Sequence, residues 1–414
     1  MWPCFFMIFS LRQQNIMNKS IHFSGQPTFS QLIKLLPKDI VANSVARNKS
    51  DHYSKYFNTW NHLVSMLFCC YGHCHSLREV VSGMRALEGR LYSSGIRNFP
   101  TRSTFSEANG RRDAKVFEDI YAGLKQHWDR FFPDSQARKN KIYLIDSTTI
   151  QLFKEIFKGA GKSKLSGRRK GGLKVHMAVH SEEAMPSLVH ITKGASNDKV
   201  FLKHLNFQPG STVVMDRGYR DYGQYNRWTT GEVRWITRMH PNSAFKNLKK
   251  FIVGPKQKAA GVMKDIKVRL GADRKEIPKV YCRLIAYTAP NKKYFEFITN
   301  DFESDPLVIA ELYRKRWRIE ILFKRLKQNM PLKYFLGDNQ NAIQIQVWCA
   351  LIADLLLQMV KSQVKRTWSF SNIVSLVRLH LFNYLNLYSF LENPENCTIQ
   401  THSNQYQMRI QLSG

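Results

Sequence analysis

The sequence predicts an α/β protein with a helical N-terminal region, and three observations support this prediction. Apolar residues recur with the helical period through roughly the first third of the chain. Two short, β-rich apolar runs then end in carboxylates, at Asp146 and at Asp216. Later, a helical stretch rich in cations carries a single central acidic residue, Glu320. The fold class therefore combines a leading all-α part with a sheet and packed helices.

The composition predicts a globular protein that binds a polyanion. The 414 residues are 43% apolar and 12% aromatic, which is enough for two or three domains with a buried core. Lys and Arg number 63 against 31 Asp and Glu, giving a formal charge of +32. Nucleic acid is the first candidate partner. Membrane-surface binding is the rival, but it is disfavoured because the charge is spread along the whole chain.

Cysteine usage and the apolar stretches indicate a cytoplasmic protein. Seven cysteines without a regular framework agree with a reducing compartment. Residues 1–16 hold a short apolar stretch that lacks a basic flank and a cleavage site, so we interpret them as a dispensable leader. The apolar run Val347–Val360 carries Asp354 and Gln358 and is expected to be a buried helix, so no membrane association is predicted.

Residues 17–135 are predicted to form a helical N-terminal DNA-binding domain. The segment Ser76–Asn109 resembles two short helices joined by a loop, with Thr104 and Glu107 as a capping box. Neighbouring arginines would suit a helix-turn-helix that reads a DNA groove, but a small helical bundle without that role fits equally well. The crowded Cys and His residues at 69–75 lack a second ligand pair, so we reject a zinc site there.

The first β-rich region begins at Lys141–Asp146, where a buried strand is expected to bring Asp146 to the surface. Lys158–Lys174 is predicted to be a mobile, phosphate-contacting loop. Leu173–His180 and Pro186–Thr192 indicate a hairpin, and a short helix follows at Asn197–Leu205. No catalytic role is predicted for the histidines of this hairpin.

The second acidic strand end is Thr212–Asp216. Carboxyl ends of neighbouring parallel strands lie together, so Asp146 and Asp216 can meet at one edge of a sheet, although Asp also follows strands merely to start turns. Further strands are predicted, with a basic, loop-like middle at Asn242–Lys279 between them. These strands lie at 233–238, 280–288 and 294–299. This segment is too long for a simple connection, so we interpret it as an insertion.

The helical stretch between Ser304 and Leu332 starts at Asp305-Pro306 and stops at Pro331. At about 100° per residue, four polar residues share one face beside an apolar stripe. These are Tyr313, Arg316, Glu320 and Lys327. A solvated basic helix with one acidic residue remains the alternative. Further helices are predicted at 343–361 and 369–385, with a polar tail from Asn393.

Three carboxylates from two strand ends and a helix suit a metal site. Asp146, Asp216 and Glu320, if they converge, can hold two divalent ions that promote in-line phosphoryl transfer. Hard oxygen ligands favour Mg²⁺ or Mn²⁺ over zinc. The surrounding Lys and Arg supply affinity for DNA. The expected activity is that of a nuclease or a strand transferase.

These residues resemble those of a known family, the IS4-family DDE transposases. The spacing of Tyr313, Arg316, Glu320 and Lys327 reproduces that family's Y-(2)-R-(3)-E-(6)-K signature. The strand ending in Asp146 and the run from Asp216 to Tyr219 match its two Asp blocks. The resemblance implies a ribonuclease H-like mixed sheet with flanking helices at 136–225 and 301–345. It also implies a β-rich insertion at 226–300, followed by a C-terminal helical region and tail at 346–414.

The resemblance further implies cut-and-paste movement of an insertion sequence. The three acidic residues would bind the metals, and the partners would be double-stranded DNA at transposon ends and target, with a homodimer in the synaptic complex. The residues expected to contact DNA are Tyr313, Arg316, Lys327, Lys174, Arg217, Tyr219, Trp235 and Arg238. A flipped base could stack on Trp235, for which a core position is the alternative. A nuclease that cuts without joining, and a non-catalytic DNA-binding descendant of a transposase, remain alternative functions.

Overall fold

The computed structural model describes residues 25–131, 141–151, 172–182, 185–194, 196–272, 278–332 and 334–396. Three predictions fall outside these residues and are not tested by the structure. They concern the leader at 1–16, the basic loop from 158 to 171 and the tail beyond 396.

The N-terminal region is helical, as the apolar periodicity predicts. Polar side chains cap several of its helices, because the first N–H groups of a helix need acceptors. Asn58 and Ser76 accept from backbone N–H groups three residues on, at 2.9 and 3.2 Å. The helices are α1 Thr28–Ile33, α2 Lys38–Asn48, α3 Thr59–Gly72, α4 Leu77–Ala86, α5 Glu88–Leu91, α6 Arg102–Arg111 and α7 Lys115–Phe131.

One predicted cap is wrong. The cap of α6 is Thr101, whose hydroxyl accepts from the backbone N–H of Thr104 at 3.2 Å, so Thr104 lies inside the helix. Glu107 pairs with Arg111 one turn later instead of closing a capping box. Thr101 and Thr104 both offer a capping hydroxyl. The spacing from Thr104 to Glu107 matches a capping box and therefore favoured Thr104.

Nine described strands form one mixed sheet in the order β3-β2-β1-β4-β5-β9-β8-β7-β6. The central pairs β1–β4 and β4–β5 are parallel, and the other pairs are antiparallel. The strands are β1 Ile142–Gln151, β2 Gly172–His180, β3 Pro186–Lys193, β4 Thr212–Met215, β5 Arg234–Arg238, β6 Phe245–Lys250, β7 Val262–Leu270, β8 Val280–Thr288 and β9 Tyr294–Thr299. Among the described residues, three short helices lie between strands: α8 Lys199–Leu202, α9 Tyr222–Thr230 and α10 Pro255–Ala259.

The loop-like middle predicted at Asn242–Lys279 is wrong, because it contains β6, α10 and β7. β7 has the strand period in Ile266, Val268 and Leu270, which are buried between basic residues. All six residues of β6 are exposed, so this lysine-rich edge strand has no apolar alternation that could reveal it. The strands predicted as an insertion also continue the same sheet, since β5 pairs with β9.

Both faces of the sheet are covered around its central strands. Along β4, Val213 and Met215 face one apolar cluster and Val214 faces the other, as the period of two requires. The cluster on the Val214 side is the larger and contains the N-terminal and C-terminal helices. A sheet buried on both faces can hold polar side chains at its strand ends with little freedom to move.

The long helix α13, Gln340–Gln363, is the centre of the helical layer. By length and composition it could cross a membrane, but 89% of its apolar window is buried inside the protein, so it is a core helix. The N-terminal helices pack directly on it, and the Tyr71 hydroxyl donates to the carbonyl of Ala353 at 3.2 Å. Two shorter helices follow, α14 Phe370–Leu379 and α15 Leu387–Glu392. The N-terminal and C-terminal helices therefore share one core.

The helix predicted between Asp305 and Pro331 forms as two segments, α11 Pro306–Lys315 and α12 Trp317–Asn329, which meet at Arg316. Asp305 caps the first segment by accepting from the N–H of Leu307 at 2.8 Å, and Pro306 occupies the first helical position. Arg325 pairs with the buried Asp354 of α13 at 2.7 Å, which fixes α12 against the helical core. The polar face of α12 is thereby held toward the sheet.

Candidate active site

Two parallel strands bring the aspartates together. Ile145 of β1 is in register with Met215 of β4, so Asp146 and Asp216 each follow the last residue of the paired segment. β1 itself continues beyond Asp146 to Gln151 through its pairing with β2. Asp216 leaves β4 and enters a short 3₁₀ turn, where it accepts from the N–H of Gly218. The prediction that these strands place both carboxylates at one edge agrees with this geometry.

Arg316 connects the third carboxylate to the first. Its guanidinium donates from Nη1 to Oδ2 of Asp146 at 2.8 Å and from Nη2 to Oε1 of Glu320 at 2.6 Å. Glu320 lies one helical turn after Arg316, so their side chains are neighbours on one face. The side chain of Arg316 is 10% exposed, which makes this a largely desolvated bridge between two carboxylates.

A second arginine holds Asp216. Arg238, at the end of β5, donates from Nη2 to Oδ1 of Asp216 at 2.7 Å. The Tyr313 hydroxyl lies 3.4 Å from the same oxygen, and the Tyr313 ring lies 5.8 Å from the Arg238 guanidinium and 5.7 Å from that of Arg316. The predicted polar row of the helix therefore faces the two aspartates.

The two aspartates have different proton affinities. Burial raises the pKa of Asp146 to about 6, the charges of Asp216 and Glu320 add to this rise, and Arg316 offsets it only in part. Burial acts in the same direction at Asp216, but the hydrogen bond and charge of Arg238 bring the pKa of that carboxyl below its usual range. The nearby carboxylates therefore add to the cost of ionising Asp146.

An open cleft of about 470 Å³ gives access to the acidic residues. Asp146 and Glu320 line it together with Lys327, whose ammonium donates to the carbonyl of Thr149 at 3.1 Å. Lys324 lines the same cleft, and Arg217 is exposed next to Asp216. The cleft combines acidic oxygens with cations at its border.

Trp235 and Tyr219, both predicted to contact DNA, are almost completely buried, and those predictions are wrong. Trp235 is 0% exposed, stacks on Tyr225 with ring centroids 4.4 Å apart, and donates its indole N–H to Thr229. Tyr219 is 1% exposed and its hydroxyl is hydrogen-bonded to His176. Neither ring can reach a base or a phosphate. The core position considered for Trp235 is the one found.

Lys174 is engaged inside the protein. Its ammonium donates to Asp198 at 3.0 Å and to the carbonyl of Ser196 at 3.3 Å. Asp198 was not among the predicted site residues, although it lies beside them. The sequence offered only an ordinary signal there, an Asp before a short helix, and that signal is usually a cap.

The donor set fits divalent metal ions. Asp146, Asp216 and Glu320 offer only carboxylate oxygens, and arginine cations stand against an oxygen of each. Among the residues that the structure describes, no group of three Asp, Glu, His or Cys side chains is drawn together closely enough to hold a metal ion. The arginine contacts account for this spacing, because a guanidinium lies between Asp146 and Glu320.

A mixed sheet with acidic residues at parallel strand ends, facing a helix with a third carboxylate and several cations, defines a class of enzyme that transfers phosphoryl groups on nucleic acid. The family model for the transposase DDE domain matches residues 137–356, just over half of the chain. This chain belongs to the transposase DDE domain family and is a DNA-cleaving and strand-transferring enzyme. Residues 24–97 match a second model, described as a domain of unknown function (DUF4372).

Several curated proteins are similar to this chain. A protein of Sinorhizobium fredii named as transposase y4zB is 29% identical over 299 residues, which cover 71% of this chain and 81% of the relative. A protein of Synechocystis sp., named as a transposase for insertion sequence element IS4SA, is 27% identical over 62% of this chain and 71% of its own length. Membership of this family implies dependence on a divalent metal.

One solved structure is similar in outline. The cryo-EM structure of the piggyBac transposase synaptic complex with hairpin DNA matches with a TM-score of 0.38 and 10% identity. The match covers 92% of this chain and 81% of that one.

Proposed function

We propose that this enzyme moves an insertion sequence by cut-and-paste transposition, cleaving DNA at terminal inverted repeats and joining the 3′-hydroxyl ends to target DNA. The observation that supports the proposal is the arrangement of the carboxylates: Asp146 and Glu320 share Arg316 at the cation-bordered cleft, and Asp216 follows the strand that pairs with the strand of Asp146. The name of the Synechocystis relative, a transposase for an insertion sequence element, supports it. The four-residue polar row of the helix further favours membership of the IS4 group.

We propose Mg²⁺ or Mn²⁺, as two ions, for the metal that the family requires. Asp146, Asp216 and Glu320 would be the ligands. Bound ions of this kind activate a water or a 3′-hydroxyl and stabilise the leaving oxygen. Arg316 and Arg238 would turn from these carboxylates toward the phosphates of the DNA, because a guanidinium donates well to either anion. The metal ions would thereby replace the two guanidinium groups as the cations that neutralise the acidic residues.

The cations at the cleft would hold the DNA backbone. Lys327 and Arg217 are exposed beside the acidic residues, and we propose that both contact phosphates at the transposon end. Tyr313 is 7% exposed and contacts Asp216. We therefore propose that it supports Arg238 and Arg316, which lie over its ring, instead of contacting a phosphate itself. Phosphate contacts position the strand and carry no sequence information, so base reading must come from elsewhere.

We propose that the N-terminal helices read the terminal repeats and that two copies of the chain join a pair of ends. A strongly basic chain with a net charge of +32 suits this use. The site of action would be the bacterial-type cytoplasm, on the nucleoid. The central test is a reaction with paired transposon ends and a target plasmid. Joined products support a transposase, whereas cleavage without joining would indicate a nuclease and binding without cleavage a non-catalytic descendant.

Lys327→Ala is expected to weaken binding of a transposon-end duplex and to lower its salt dependence. Removing one phosphate contact should reduce the slope of log K against log salt by about one. Gel-shift titrations at several salt concentrations measure this slope. Lys327→Arg keeps the charge and serves as the matched control, for which the slope should stay at the wild-type value. An unchanged slope in Lys327→Ala would place the lysine outside the DNA contact.

Metal affinity is expected to depend on pH through Asp146. A carboxylate must be deprotonated to bind a metal, and the pKa of Asp146 is raised to about 6 by burial. Mn²⁺ affinity should therefore level off above that pH and fall by about tenfold per unit below it. Calorimetric titration of the DNA-free protein with Mn²⁺ measures the dependence. The step near pH 6 should vanish in Asp146→Asn, and its survival there would assign it to another group.

A further inference from the structure

A fourth carboxylate lies beside the acidic centre. Oδ1 of Asp198 accepts from the Ser147 hydroxyl at 3.1 Å and from the Lys174 ammonium at 3.0 Å. Ser147 directly follows Asp146 and donates its backbone N–H to Oδ1 of that residue at 2.8 Å. Asp198 therefore orients Ser147, and Ser147 in turn hydrogen-bonds to Asp146.

Asp198 also borders the turn that carries Asp216. A methyl group added at Gly218 would lie 3.2 Å from Oδ2 of Asp198 and 3.9 Å from Oδ2 of Asp216. The two carboxylates thus face one point above a glycine whose own N–H is 3.5 Å from Oδ2 of Asp216. A side chain at 218 would press on Asp198 and make an ordinary van der Waals contact with Asp216.

The position of Asp198 in the chain would ordinarily give it a different role. It stands directly before α8, Lys199–Leu202, yet its side chain makes no capping hydrogen bond to that helix. Its oxygens are turned toward β1 and β2 instead, and its side chain is 25% exposed. Because the Asp198 side chain does not cap the helix, its hydrogen bonds are made elsewhere. They are made with Ser147 and Lys174, beside the acidic centre.

The neighbouring polar groups form a fixed chain. Thr192 donates to the carbonyl of Lys174, so its oxygen accepts from Nε2 of His176 at 2.9 Å. Nδ1 of His176 is then an acceptor and receives the Tyr219 hydroxyl at 3.1 Å. Burial lowers the pKa of His176 to about 4, so this ring is neutral and Nδ1 can accept. This neutral ring lies 3.8 Å from Oδ1 of Asp198, and the cation that holds Asp198 is Lys174.

We propose that Asp198 is a positioning residue for the strand-transfer reaction, setting Asp146 through Ser147 and bordering the Asp216 turn across Gly218. The inference rests on the proposed metal ligands and adds a residue that acts on them. Asp198 does not itself touch DNA or metal in this role. Its effect reaches the reaction through the orientation of the two strand-end carboxylates.

The test compares Asp198→Ala and Asp198→Asn with Ser147→Ala, their double variants, and two controls. Asp221→Asn is the matched control, because Asp221 caps its own helix by accepting from the N–H of Gln224 at 2.9 Å. Glu320→Gln is the control for the proposed function. The readouts are single-turnover cleavage of a transposon end, gel-shift affinity for that end, Mn²⁺ affinity by calorimetry, and the melting temperature.

Asp198→Ala is expected to lower both Mn²⁺ affinity and the cleavage rate by about 10- to 100-fold, with end binding within about twofold of wild type. Asp198→Asn should lose less, since its amide oxygen still accepts from Ser147. Ser147→Ala combined with Asp198→Ala should be no worse than the larger single effect, because both act along one path. Asp221→Asn should match wild type in all four readouts, because Asn caps a helix as well as Asp does.

Two results would overturn the inference. One is wild-type Mn²⁺ affinity and cleavage in Asp198→Ala. The other is a loss of cleavage that follows the loss of melting temperature and disappears on cooling, which would mark a structural residue only. If Glu320→Gln also cleaves normally, the proposed function fails; if Glu320→Gln is inactive while Asp198→Ala is normal, only the inference about Asp198 fails.

Discussion

Glu320→Gln is expected to reduce cleavage of transposon ends by at least about 1000-fold while leaving end binding within about twofold of wild type. The amide has the shape of the carboxylate and keeps an oxygen for the Arg316 Nη2 donor, which lies 2.6 Å from Oε1 of Glu320. It loses the negative charge that a divalent ion requires from its ligand. Binding and chemistry should therefore separate in this variant.

The measurement pairs a gel-shift titration with single-turnover cleavage at saturating protein, so that affinity cannot mask the chemical step. Glu311→Gln is the matched control, because Glu311 lies in the preceding helix α11 and its ion pair is with Arg314, outside the acidic centre. It should cleave at the wild-type rate. Cleavage that survives in Glu320→Gln would remove the metal assignment, and loss of end binding would point to a damaged fold.

The acidic centre could be predicted because its parts follow local rules. Helical spacing placed Arg316 and Glu320 on one face, and they are bridged at 2.6 Å. Asp146 and Asp216 follow the paired segments of β1 and β4 at the same edge, because parallel neighbours share a direction. Each rule depends on residues close together in sequence or on a symmetry of the sheet. The approach of the helix to the sheet followed from the family resemblance.

The residues that escaped prediction depend on contacts distant in sequence. Asp198 lies 51 positions from Ser147, and no local pattern joins them. Arg238 was expected at DNA, yet it also pairs with Asp216 from a strand 22 positions away. Trp235 is flanked by arginines, which favoured an exposed site, but the strand alternation turns its ring into the core against Tyr225. In each case the role of the side chain is set by residues that are close in the fold but distant in the sequence.

Arg316→Ala is expected to strengthen metal binding and weaken catalysis. The guanidinium bridges Asp146 and Glu320, so a divalent ion must displace it, and its removal should tighten Mn²⁺ binding by about tenfold. Cleavage should nevertheless fall by at least about 100-fold, because a donor directed at the reacting phosphate is lost. A variant with higher metal affinity and lower activity would separate the two roles of this arginine.

The same variant makes a prediction about stability. Without Arg316, two largely buried carboxylates face each other uncompensated, and losing one partner of a buried pair is costly. The metal-free variant should melt at a lower temperature than wild type at neutral pH, and Mn²⁺ should raise its melting temperature by more than it raises that of wild type. Arg318→Ala is the matched control, since Arg318 pairs with Glu182 outside the acidic centre.

The hydrogen bonding of Arg316 also suits a guanidinium that metal ions displace from the carboxylates. Its buried Nε–H has no hydrogen-bond partner within the described part of the chain, so the guanidinium is not fully satisfied between the carboxylates. A DNA phosphate could accept from that N–H once metal has taken over the acidic oxygens. Equal Mn²⁺ affinity and equal cleavage in Arg316→Ala and wild type would show that the bridge has no part in either step.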